Sequence, residues 1–283
     1  MSEFIVSSRE FGDDEVSALA AQAGFSVLPN AVVTAVNADG IRSRGFIVPR
    51  AQAWSVWNRL HQLHASGSGW YPVLSVLDPR SLIRHIPGEF SPSGREAVAV
   101  AVIRDPDEVI AEMVAAFLAD SLDKSPDRET EQEWLEVLNP QNLATSLMGP
   151  IDAPLAGDPW SGFLSWKTEL WMCLVEAGHG YEIPVLLQKL PHAPNWYVDR
   201  VQRGLEPADH LAFLCSWRRR FGAELFYIDG SNLRLAVSRP PLTPSTAAQA
   251  AVELFAYSSD AAPDLPTLAD GEIRSTVWTC WWD

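Results

Sequence analysis

The chain has 283 residues, 47% of them hydrophobic, which is enough for a sizeable core in one large domain or two ordinary ones and excludes global disorder. Thirty-six acidic and 21 basic side chains leave a formal net charge of −15, which argues against a protein that tracks nucleic-acid phosphates or an anionic membrane surface and suits a basic partner. No apolar run approaches the roughly 18 residues of a membrane span, no signal-peptide pattern follows Met1, and the three cysteines (Cys173, Cys215, Cys280) are odd in number and far apart, so a reduced cytoplasmic protein is expected.

Asp13-Asp14-Glu15 opens a short helical pattern through Val16, Leu19 and Ala20 that Gly24 closes. Ala31–Val36 and Gly45–Pro49 are β-rich and flank Asp39-Gly40, which predicts a hairpin. From Ala51 to Ala65, Trp54, Trp57, Leu60, His61 and His64 recur at spacings of three and four, which predicts an amphipathic helix ended by Gly67 and Gly69. Tyr71–Leu77 reads as a buried strand with Pro72 at its entrance, and the Ala/Val run Ala97–Ile103 as another. Asp105-Pro106-Asp107-Glu108 supplies a cap, a proline at the first helical position and an acid three residues after the cap, so a helix should run to Leu122. Asn139-Pro140 repeats that logic for a shorter helix.

Residues 149–162, rich in Pro and Gly, read as a linker. It divides the chain into an N-terminal α/β region, 1–148, holding an acidic helical segment at 104–148, and a C-terminal α/β domain, 163–283. In the latter, Phe163–Ala177 reads as a helix, Ile183–Leu187 as a strand and Pro207–Phe221 as a helix ended by Gly222. Glu224–Ile228 and Leu233–Val237 read as strands around the turn Asp229-Gly230-Ser231-Asn232. An Ala-rich helix, Ser245–Tyr257, and a last strand, Val277–Trp282, complete the series. Burying Trp278, Trp281 and Trp282 together would place ~450–750 Å² of aromatic surface against the domain. The expected class is therefore α/β (α+β), as two coupled units, the second β-α-β-β-α-β with a mixed or antiparallel sheet of ferredoxin-like kind. Trp54 with Pro72-Val73-Leu74 echoes Trp166 with Pro184-Val185-Leu186, through duplication or through the common grammar of helix–turn–strand units.

Glu206-Pro207, Trp217, Phe221-Gly222-Ala223-Glu224-Leu225, Leu233–Val237, Arg239-Pro240-Pro241 and the closing Trp281-Trp282-Asp283 resemble the bacterial family called domain of unknown function 4253. The resemblance covers about Ile183 to Asp283 and implies an α/β domain without an assigned activity. Members carry a Gly-Gly-Trp-Asn-like stretch after the first strand, where this chain reads Ala193-Pro194-Asn195-Trp196-Tyr197.

No phosphate-binding glycine loop, dinucleotide fingerprint, nucleophile elbow or zinc motif is present, so neither cofactor nor metal is expected. His61 and His64 lie three apart but lack a third ligand. Arg218-Arg219-Arg220 cannot form one flat patch on a helix and is expected to balance neighbouring acids such as Asp209 and Glu224. The strongest feature is charge: residues 104–138 carry eleven acidic and three basic side chains. The sequence thus favours a non-catalytic protein-binding role, of immunity or antitoxin type, in which Glu129, Glu131, Glu133 and Glu136 meet a basic partner and Trp134 anchors it. Two alternatives stand beside it. One is an enzyme whose cleft uses Trp196, Arg239, His64 or His210; the other is a structural subunit that buries Trp surface between chains.

Overall fold

The computed structural model describes residues 13–28, 30–37, 39–83, 94–124, 127–187, 205–261 and 264–282. In chain order these form helix α1 (Asp13–Gln22), strands β1 (Val33–Val36) and β2 (Arg42–Pro49), helix α2 (Arg50–Leu63) and strand β3 (Trp70–Ser75). A helical stretch follows: α3 (Pro79–Leu82), α4 (Gly94–Ala101), α5 (Pro106–Asp123), α6 (Arg128–Val137) and α7 (Pro140–Ser146). Then come β4 (Glu169–Glu176), α8 (Ile183–Leu187), α9 (Pro207–Phe221), β5 (Ala223–Ile228), β6 (Asn232–Val237), α10 (Pro244–Tyr257), α11 (Leu265–Thr267) and β7 (Val277–Trp281). The strands make one mixed sheet in the order β1-β2-β4-β3-β5-β6-β7, an α+β architecture. Among the described residues no helix is long and apolar enough to cross a membrane.

Three segments depart from the sequence expectation. Residues 97–103 are not a strand: Ala97 and Ala101 are buried at a spacing of four while Val100 and Val102 are exposed, and alanine is the strongest helix former, so α4 forms instead. Phe163–Ala177 is not a helix but a 3₁₀ turn, Gly162–Trp166, followed by β4. Leu170, Met172, Cys173, Leu174 and Val175 are all buried, and a strand covered on both faces is a continuous apolar run that periodicity cannot tell from a buried helix. The same ambiguity hides α8, one buried turn where a strand was expected at 183–187. The echo between Trp54 and Trp166 goes with these changes, since Trp54 sits on a helix and Trp166 in the turn, 79% exposed.

With β4 in place of the strand expected at Ile183, the element order β-α-β-β-α-β survives, but the sheet is not ferredoxin-like. Strand β4 lies between β2 and β3, and β5, β6 and β7 follow one another as sheet neighbours, so the strands of the series do not interleave.

The chain resolves into two compact units, each from three segments: Met1–Ala99, Pro159–Leu190 and Leu225–Gly230 in the first, and Val100–Asp158, Pro191–Glu224 and Ser231–Asp283 in the second. In the first, β4 pairs antiparallel with β2 and with β3. Helix α2 packs on these strands and buries Ala53, Val56, Trp57 and Leu60. The Trp57 indole donates to the Pro72 carbonyl at 3.0 Å, and the Tyr71 hydroxyl to the Leu225 carbonyl at 2.8 Å, so both large rings are buried with their polar atoms satisfied.

In the second unit α9 and α10 carry an aromatic core. Trp217 meets Trp278 edge-on at 5.7 Å, and Tyr257 meets Trp282 at 5.1 Å. A Glu206–Asp209 capping box starts α9. Gly222 ends it in the left-handed region (φ +62°), where a Cβ would fall 2.1 Å from the Ser238 hydroxyl. Of the three closing tryptophans only two are buried. Trp278 and Trp282 share a face with Cys280 toward the helices, while Trp281 points to the other face and stays 40% exposed. Strand β7 is an edge, and its outward N–H groups are all met by side chains: Val277 by the Ser275 hydroxyl, Thr279 by the Glu272 carboxyl and Trp281 by the Ser258 hydroxyl. This covers a row of donors that would otherwise recruit a foreign strand.

Candidate functional site

Helix α6 begins at Asp127, whose carboxylate accepts the Thr130 N–H at 2.9 Å and is held below its ordinary pKa by that backbone bond. Glu129 and Glu131 lie in its first turn, where the helix dipole favours negative charge. None of its residues is buried. Glu129, Glu131, Glu133 and Glu136 are all exposed, and among the described residues none of the four meets a cation; Glu136 only accepts from Gln132 at 2.7 Å.

Helical spacing sorts these residues. Glu129, Glu133 and Glu136 are separated by four and three and form one acidic stripe. Thr130, Trp134 and Val137, half-buried, form the stripe that faces the protein, and Glu131 falls outside both. Trp134, half-buried, lies off the acidic stripe.

The rest of the acidic segment behaves differently. On α5, Asp107 accepts from the buried Ser216 hydroxyl at 2.9 Å and pairs with Arg219. Glu112 pairs with Arg104 at 2.7 Å, and Asp120 with Lys124 at 2.8 Å. The three consecutive arginines of α9 turn to three separate acids: Arg218 to Glu224, Arg219 to Asp107 and Arg220 to the buried Glu253. Glu253 also accepts from Trp217 and Gln249, each at 3.0 Å.

Of the residues considered for a cleft, His210 and Arg239 belong to the second unit and lie near opposite ends of α9. His210 is fully buried near the start of α9, its Nδ1 2.6 Å from the Tyr257 hydroxyl; burial pushes its pKa down to about 4, so it stays neutral at pH 7. Arg239 is exposed and donates to the Arg219 carbonyl, near the other end of that helix, roughly 15 Å away along its axis at the usual rise per residue. His64 belongs to the first unit, with Nε2 3.0 Å from the Gly178 carbonyl. Trp196 lies outside the described residues. Burial raises the thiol pKa of all three cysteines, which works against the thiolate a nucleophile needs. Among the described residues no three His, Cys, Asp or Glu side chains gather as metal ligands.

One group escaped sequence reasoning altogether. Burial pushes the Glu272 carboxyl up to about 7, against the opposing pull of the Thr279 N–H and of Arg234. No local motif marks it, because its partner lies on the edge strand that follows.

Residues 171–283 match the family model of the domain of unknown function DUF4253. The match runs from β4 to the end of the chain, so it takes in the described resemblance and extends it toward the first unit. No curated protein and no solved structure matches the chain.

Proposed function

We propose that this chain is a non-catalytic cytoplasmic binding protein of bacterial, immunity- or antitoxin-like type, which receives a basic protein on the acidic face of α6. The observation that carries the reading is that Glu129, Glu131, Glu133 and Glu136 meet no cation among the described residues, beside a helix whose Asp107, Glu112 and Asp120 are paired. Exposed charges of one sign steer a basic partner and set its orientation, an effect that salt screens beyond about 10 Å at 0.1 M. Leu135, 44% exposed on the same helix, adds apolar contact area.

The enzyme reading draws on Glu272, a carboxyl with a pKa near neutrality in the neighbourhood of Arg234. Its bond to the Thr279 N–H gives that carboxyl a structural task instead. The test is affinity capture from source cells at low and high salt with mass-spectrometric identification, using the wild-type chain and one with all four glutamates reversed to lysine. A basic partner retained at low salt, released at high salt and lost in the reversed chain is the expected result. Capture unchanged by the reversal refutes the assignment.

A further inference from the structure

We infer that Arg42 and Arg95, in the first unit, form a binding site for the phosphate group of a small molecule, with Glu176 as its internal placeholder. Trp70, Glu176 and Arg42 stand side by side across β3, β4 and β2: Trp70 is in register with Glu176, and Ser43 with Val175 brings Arg42 opposite Glu176. Arg42 Nε lies 3.0 Å from Glu176 Oε2, and Arg95 Nη2 on α4 lies 3.6 Å from the same oxygen. Two guanidiniums from different elements thus converge on one atom.

Both arginine side chains are about half exposed, at 46% and 57%. A guanidinium presents five N–H donors in a fixed fork. Arg42 commits Nε alone, and its terminal N–H groups face no acceptor among the described residues; Arg95 has only the long contact to Glu176. The Arg42 guanidinium lies over the Trp70 ring, 5.5 Å from its centroid, and Arg44 lies 4.8 Å from it. The ring itself is fixed by its N–H bond to Glu15, 3.0 Å long, and Glu15 also pairs with Arg44. Arg42 is therefore held in place by packing before any ligand arrives.

Arg44 joins Arg42 on the Trp70 ring, and Arg95 joins Arg42 on Glu176, so three guanidiniums gather around one ring and one carboxylate. Glu176 is kept ionised by Arg42, Arg95 and Arg44, and relieves their mutual repulsion. A tetrahedral oxyanion suits the remaining donors better than a carboxylate does, because it offers a third oxygen to the second arginine.

The test is calorimetric titration of the full chain with inorganic phosphate at pH 7 and low salt. Glu176→Gln removes the competing anion and keeps the shape, so it is expected to bind phosphate at least fivefold more tightly than wild type. A merely structural Glu176 would give no such gain. Arg95→Ala, at an exposed position, is expected to bind at least fivefold more weakly with its circular dichroism unchanged. Absence of saturable binding by Glu176→Gln, or wild-type affinity in Arg95→Ala, overturns the proposal.

Discussion

Helices α5 and α6 are consecutive and acidic, and each starts from an aspartate cap, yet they dispose of their charge in opposite ways. Helix α5 buries Val109, Ile110 and Met113 and engages Asp107, Glu112 and Asp120 in pairs. Helix α6 buries nothing and leaves its four glutamates to water. A charge total over residues 104–138 merges the two, although only α6 leaves all of its glutamates without a cation among the described residues. What separates a structural acid from a recognition acid is pairing, and pairing is a property of the fold.

That contrast sets an order of expected losses. Glu253 is the extreme of a committed acid, buried and bonded to Trp217, Arg220 and Gln249. Glu253→Ala leaves Arg220 and the Trp217 indole without their acceptor and is expected to cost about 3–5 kcal/mol in urea unfolding. A cost under 1 kcal/mol would show that the pairing is not structural.

Glu272 comes next. Its pKa is about 7 in the native state against 4.5 for an ordinary glutamate. The unfolded chain therefore releases the proton first as pH rises. Stability from this group is complete below pH 4.5 and is lost by pH 7, a change of about 3 kcal/mol. The stability difference between wild type and Glu272→Gln, measured at pH 5 and at pH 8, should shift by about 2.5 kcal/mol in favour of the variant at the higher pH, since pH 5 already lies above the unfolded pKa. A constant difference contradicts the assignment.

Asp107, half-exposed but bonded to Ser216 and Arg219, is intermediate, and Asp107→Ala should cost about 1 kcal/mol. Neutralising Glu129, Glu131, Glu133 and Glu136 to glutamine should leave stability within about 0.5 kcal/mol of wild type by the same unfolding measurement. A larger loss would mean that α6 uses its acids internally after all.

Where structure is set by local chemistry, the sequence is a good guide. Asp105-Pro106 and Asn139-Pro140 start helices where expected, because an accepting side chain and a fixed φ act within one turn. The turn after Asp229 and the Gly222 stop are legible for the same reason. Strand β4 is not, since its apolar residues fill both faces and its hydrogen-bond partners come from β2 and β3, far away in the chain. The acids of α6 could be named from sequence, but their division could not. That Trp134 turns toward the protein follows from where α6 docks, and that Asp107 is neutralised follows from α9, more than a hundred residues on.

The central claim is that the unpaired stripe of α6, and not acidity in general, holds the partner. Its most direct test compares two charge-matched triple variants in partner capture at low salt: Glu129→Gln, Glu133→Gln and Glu136→Gln on α6, against the paired acids Asp107→Asn, Glu112→Gln and Asp120→Asn on α5. Loss of capture in the α6 variant alone, by tenfold or more, is the predicted result. Equal loss in both, or no loss in either, contradicts the account.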